Sequence, residues 1–108
     1  MSARIYIAGP MTGLPDLNYP AFHAEAARLR ALGYAVENPA ENPVPPCGGT
    51  WAGYMRLALA QLVRCDCICL LPGWARSRGA CIEHGLAVAL GMAVMYHQMG
   101  EPEAPAIY

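Results

Sequence analysis

The chain has 108 residues, a formal charge of −1, 56% hydrophobic residues and only 14% charged ones. That length gives one domain, 1–108, able to bury roughly two thirds of its unfolded surface, and the composition excludes intrinsic disorder. The charge balance offers no grip on a nucleic acid polymer or an anionic membrane. All seven basic residues are Arg, which removes Schiff-base chemistry and a Walker-A lysine. The serines, Ser2 and Ser77, lie outside any G-x-S-x-G elbow, so serine-hydrolase chemistry is not supported. Five cysteines (Cys47, Cys65, Cys67, Cys69 and Cys81) are an odd number. With a start that runs straight into a strand instead of a signal peptide, they predict a reducing, cytoplasmic setting.

Arg4–Ala8 reads as a short β-strand stopped by Gly9-Pro10. Tyr19–Leu32 reads as a helix, with Pro20 in its first turn and Gly33 just past its end. Phe22, Ala26, Leu29 and Leu32 form its apolar face, and His23, Glu25, Arg28 and Arg30 fall mostly elsewhere. Tyr34–Glu37 is a second strand, and Asn38–Gly49 a Pro-rich loop of a length that usually carries function. Thr50 is the cap of a second helix reaching about Arg64, whose apolar residues cover more than one core-facing stripe. Asp66–Leu71 is an apolar third strand, Gly79–Leu90 a third helix and Met92–Tyr96 a fourth strand. The charge-free run from His84 to Gly100 is broken by Gly85 and Gly91 and reads as buried helix plus strand, not a membrane span. A tail follows, about 98–108.

Such alternation predicts a Rossmann- or flavodoxin-like α/β three-layer sandwich: a four-stranded parallel sheet, order 2-1-3-4, with helices on both faces. A ligand crevice is then expected beyond the carboxyl ends of the first and third strands, where the order reverses. Two loops meet there. Gly9, Pro10, Met11, Thr12 and Gly13 offer close backbone approach and a hydroxyl for a phosphate or sugar, with Asp16 and Asn18 following. They equally suit a plain turn before a helix. The second loop holds Gly73, Trp74, Arg76, Ser77, Arg78 and Gly79; Ser77 caps a helix start that attracts anions, and Trp74 can stack on a base or plug the core.

Glu83, about one turn into the third helix and among apolar neighbours, needs a partner or a purpose. Tyr6, near the exit of the first strand and on the face opposite Ile5 and Ile7, has a hydroxyl able to reach it. Asp66 begins its strand, about 16 Å from the crevice, and is assigned a structural role. Cys65, Cys67 and Cys69 alternate along a strand about 7 Å apart, too far to share a metal whose Zn–S bonds are about 2.3 Å. The cysteines read as buried small hydrophobes, with no metal site.

Three segments carry a resemblance: Ile5-Tyr6-Ile7-Ala8-Gly9-Pro10-Met11-Thr12-Gly13, then Cys65–Trp74, then Ser77-Arg78-Gly79-Ala80-x-x-Glu83. They resemble the nucleoside 2-deoxyribosyltransferase-like superfamily, above all its short branch in bacteria and phages, a domain of unknown function. Gly13–Phe22 matches a segment that recurs in that branch. The resemblance implies cleavage or transfer of the N-glycosidic bond of 2′-deoxynucleosides or their 5′-monophosphates, with no cofactor. It makes Glu83 the nucleophile that forms a covalent deoxyribosyl-enzyme, and Tyr6 the residue that orients it. The two loops would hold sugar and phosphate.

Ala58 and Ser77 stand where characterised relatives carry aspartates that assist the base; Asp16 is the nearest substitute in the first loop. The alternative is therefore a non-catalytic nucleotide-binding or sensing module of the same fold. The broad apolar face of the second helix predicts a homodimer or larger homo-oligomer.

Overall fold

The computed structural model describes residues 3–45 and 49–97; Cys47 and the tail at 98–108 lie outside them. Four strands, β1 (Arg4–Ala8), β2 (Ala35–Glu37), β3 (Cys67–Leu70) and β4 (Ala93–Tyr96), alternate with α1 (Tyr19–Ala31), α2 (Trp51–Leu62) and α3 (Arg78–Ala89). All strand pairs are parallel, in the order β2-β1-β3-β4. The architecture is thus the three-layer α/β sandwich that the alternation predicts, with the order reversing between β1 and β3.

Side-chain alternation on β1 sorts the core into two layers. Ile5 and Ile7 join Phe22, Ala26 and Leu29 of α1, with Cys67, Cys69 and Leu71. Tyr6 and Ala8 face the other way, against Ala58 and Leu62 of α2 and Ala80 and Ala87 of α3. Burying each large side chain contributes about 2 kcal/mol. The helix starts are fixed locally. Thr50 Oγ accepts from the Gly53 amide at 3.0 Å, and Ser77 Oγ accepts from the Ala80 amide at 3.2 Å. Asp66 is structural: its Oδ2 accepts the Arg4 amide at 2.8 Å, joining the starts of β1 and β3.

Five expectations need correction. Leu32 is 63% exposed, because α1 ends at Ala31 and the chain turns away through Gly33. Glu25 is fully buried instead of lying off the apolar face. Cys65 packs on the α2–α3 side, away from Cys67 and Cys69, because β3 begins only at Cys67 and strand alternation does not extend back to it. Cys81 is exposed, and so are Val88, Leu90 and Tyr96 in the run read as buried. β4 is a sheet edge with one neighbour, and α3 turns its outer face to solvent. Among the described residues no helix is long and apolar enough to cross a membrane.

Candidate active site

The exits of β1 and β3 close on one another at Gly9. A Cβ there would stand 2.8 Å from Leu71 Cβ, so only glycine allows the approach. Beyond these exits lies a cleft of about 720 Å³. One wall is the loop after β1, from Gly9 to Thr12, and another is the start of α3 from Arg76 to Ala80. Trp51, Tyr54, Met55 and Ala58 of α2 form a third, and Pro39, Asn42 and Gly49 reach in from the loop after β2. The cleft therefore draws on more of the chain than the two loops expected from topology.

Glu83 lines the cleft and is only 6% exposed. The Tyr6 hydroxyl, on the layer that faces α3, donates to Glu83 Oε2 at 2.6 Å. Burial pushes the Glu83 carboxyl up to about 7, against the Tyr6 hydrogen bond, which lowers it. Burial first, then the charge and hydrogen bond of Glu83, raise the Tyr6 hydroxyl well above its ordinary value of 10.0. Tyr6 is therefore a fixed donor. Glu83 is a carboxylate poised to change charge near neutrality, a property that recurs in catalytic groups.

Of the residues singled out in sequence, Gly9, Pro10, Met11, Thr12, Ser77, Arg78, Gly79 and Glu83 meet around this cleft. Others stand outside its lining. Gly13 and Asp16 are exposed, Gly13 at φ +84°, and Asp16 opens a run of left-handed residues with Leu17 and Asn18 at φ +52°, +53° and +60°. Such a run is strained for non-glycine residues. Asn18 Nδ2 donates to Pro10 O at 2.9 Å and so shapes the loop. Gly73, at φ +86°, turns the chain before α3. Trp74 packs on His84, with ring centroids 4.5 Å apart, and faces Tyr96 at 6.5 Å. It packs against the α2–α3 core layer and is not among the residues that line the cleft.

Sequence reasoning missed Trp51, Tyr54, Met55 and Asn42. The α2 residues had a signal: 51, 54, 55 and 58 are spaced i, i+3, i+4, i+7, one helical stripe. Part of the helix's surplus apolar surface is thus the cleft wall. Among the described lining residues Glu83 is the only carboxylate, and Arg76 and Arg78 are the cations. No group of three or more His, Cys, Asp or Glu among the described residues is placed to hold a metal ion.

The fold is shared with a 2-desoxiribosyltransferase from Leishmania mexicana, at a TM-score of 0.67 and 21% identity. The match covers 87% of this chain but 63% of that one, and at this identity it is a likeness of fold. No curated protein matches the chain. A family model extends over residues 3–96, from the approach to β1 to the end of β4. By that match the chain belongs to DUF4406, a domain of unknown function.

Proposed function

We propose that this domain breaks the N-glycosidic bond of 2′-deoxynucleosides or their 5′-monophosphates, with Glu83 as nucleophile. The observation that carries the reading is the Tyr6–Glu83 pair, closed at 2.6 Å and set in a cleft at the reversal of strand order. At about 720 Å³ the cleft has the size of a small-molecule site. The fold shared with a 2-desoxiribosyltransferase agrees with the assignment.

On this reading the ionised Glu83 attacks C1′, and the bond from C1′ to the base nitrogen breaks with its electrons leaving on the base. A covalent deoxyribosyl-enzyme forms through an oxocarbenium-like transition state, as in retaining glycosidases. Water or a second base then attacks C1′ and frees Glu83. Tyr6 aims the carboxylate and keeps one of its oxygens engaged, leaving the other for attack. The departing base takes up a proton from solvent or from a group not yet assigned. Gly9–Thr12 and the Ser77–Gly79 helix start hold the sugar and any 5′-phosphate, since free amides and a hydroxyl suit both.

A second reading, a nucleotide-binding module without catalysis, is favoured by one observation: Ala58 lines the cleft, and no carboxylate other than Glu83 does so among the described residues. A missing general acid typically costs 10²–10⁴ in rate. Chromatography of base release from a panel of deoxynucleosides and their 5′-monophosphates, with and without a second free base, decides between the two. Release or exchange that disappears in Glu83→Ala supports the enzyme. No turnover above the variant across the panel leaves the binding module.

A further inference from the structure

The wall of the cleft that α2 supplies is aromatic at its start. Trp51 and Tyr54, one helical turn apart, line it while 40% and 39% exposed. Large aromatic side chains left open on a concave surface present flat faces to a ligand. Trp51 is engaged by a cation: the guanidinium carbon of Arg78 sits 4.2 Å from its ring centroid. Gly79 lets these elements come so close. A Cβ there would stand 3.1 Å from Met55 Sδ and 4.0 Å from Trp51 Cζ2.

Arg78 is thus shared between two parts of the site. Its backbone opens α3, beside the Ser77 cap and the first amides of the helix, which have no intrahelical partner. Its side chain lies on the aromatic wall. Among the described residues it meets no carboxylate. A guanidinium bound to a phosphate through charge-assisted, bidentate hydrogen bonds is held more strongly than one over an exposed aromatic ring. An anion at the start of α3 would therefore win Arg78 from Trp51.

Building on the nucleotide-cleft reading above, we propose that Arg78 couples the two halves of the ligand: an anionic 5′ group draws the guanidinium off Trp51 and frees that ring to stack on the base. The site then takes nucleoside monophosphates in preference to nucleosides, and Trp51 is the base-stacking residue. Coupling of this kind is reciprocal, so phosphate and base each strengthen the other's binding by the same factor.

Binding is measured by calorimetry in the Glu83→Gln protein, where nothing turns over, with the four common deoxynucleosides, their 5′-monophosphates and inorganic phosphate. Trp51 emission is followed after Trp74→Phe. We expect monophosphates to bind at least tenfold more tightly than nucleosides. Inorganic phosphate alone should change Trp51 emission and raise nucleoside affinity. Arg78→Met, a change at an exposed side chain, should abolish the effect of phosphate on nucleoside binding, and Trp51→Leu should weaken monophosphate binding about tenfold. Equal binding of nucleosides and monophosphates overturns the proposal, as does a phosphate effect that survives Arg78→Met. Failure of the glycosidic reading is seen separately: it shows as absent base release in the unmodified protein, whatever the binding data give.

Discussion

The two faces of the sheet each bury a glutamate, and the two are treated in opposite ways. On the α1 face, Glu25 accepts from Arg28 Nε and Nη2, both at 2.8 Å, and from the Cys69 thiol at 3.2 Å. His97 Nδ1 stands 2.8 Å from Oε1, at ion-pair distance for a protonated ring but not aligned as a hydrogen bond. On the α2–α3 face, Glu83 has the Tyr6 hydroxyl and the open cleft. Burial pushes both carboxyls up, and for each it is the largest single influence. At Glu25, Arg28, Cys69 and His97 together reverse it and hold the group below its ordinary value. At Glu83 one neutral donor cannot, and the group rises to about 7. Burial alone does not make a reactive carboxylate; burial with too few donors does.

Exchanging the two for glutamine separates their roles most sharply. Glu83→Gln should lower glycosidic turnover on the order of 10⁴-fold, since a nucleophile acts as part of a unit. Glu25→Gln should leave the rate of folded protein within about twofold, since it lies on the other side of the sheet from the cleft. Single-turnover base release on both variants checks this. Equal losses would mean that the two faces are not independent.

Stability should move the other way, by smaller amounts. The folded pKa of Glu83 lies above 4.5, so its contribution is intact below that pH and is lost as pH rises through about 7. Glu83→Gln should therefore stabilise the protein by on the order of 3 kcal/mol at pH 8 and by little at pH 4. The folded pKa of Glu25 lies below 4.5, so its contribution is present above that value and is lost as pH falls through the folded one. Glu25→Gln should cost about 3 kcal/mol at pH 7, from a buried ion-pair network left incomplete, and less in acid. Urea melts of both variants at pH 4, 6 and 8 should show stability differences of opposite sign.

Tyr6→Phe tests how much of the reactivity at Glu83 depends on its single donor. Without that hydroxyl nothing opposes burial, so the acid limb of the rate, near pH 7 in the parent, should move to higher pH. At pH 7 the rate should fall about tenfold or more, with part of the loss recovered by pH 9. A uniform loss with no shift of the limb would make Tyr6 a packing residue only.

The contrast between the faces was only half visible in the sequence. Alternation along Ile5-Tyr6-Ile7 put Tyr6 opposite the α1 layer, and the cap at Ser77 set the phase of α3; together they brought Tyr6 and Glu83 into reach. Glu25 was misplaced although its position carried the signal: it lies three residues after Phe22 and four before Leu29, on the stripe those residues define. Its charge argues for solvent, and apart from Arg28, one turn along the helix, its partners Cys69 and His97 are 44 and 72 positions away, beyond any local pattern. Leu32 failed for the converse reason. Its period was right, but the helix stopped one residue short, so a local chain reversal decided its exposure. The aromatic wall of α2 was read as surplus apolar surface because nothing in a helical stripe says whether it meets a core or a cavity.

Cys69→Ala should have the smallest effect and is the most exacting check of the comparison. The thiol donates to Glu25 Oε2 at 3.2 Å and is held firmly protonated, first by burial and then by that carboxylate, so it is a donor and not a nucleophile. Its loss leaves both Arg28 hydrogen bonds in place and opens a cavity of about one sulfur atom. The expected cost is about 1–2 kcal/mol, with the acid side of the stability profile moved to slightly higher pH because one of the influences that lower Glu25 is gone. Turnover and its pH dependence should not change. If the acid limb of the rate moved with Cys69→Ala, the α1-side network would reach Glu83 through the sheet. If only the melts move, donors on one face set stability and their scarcity on the other sets reactivity.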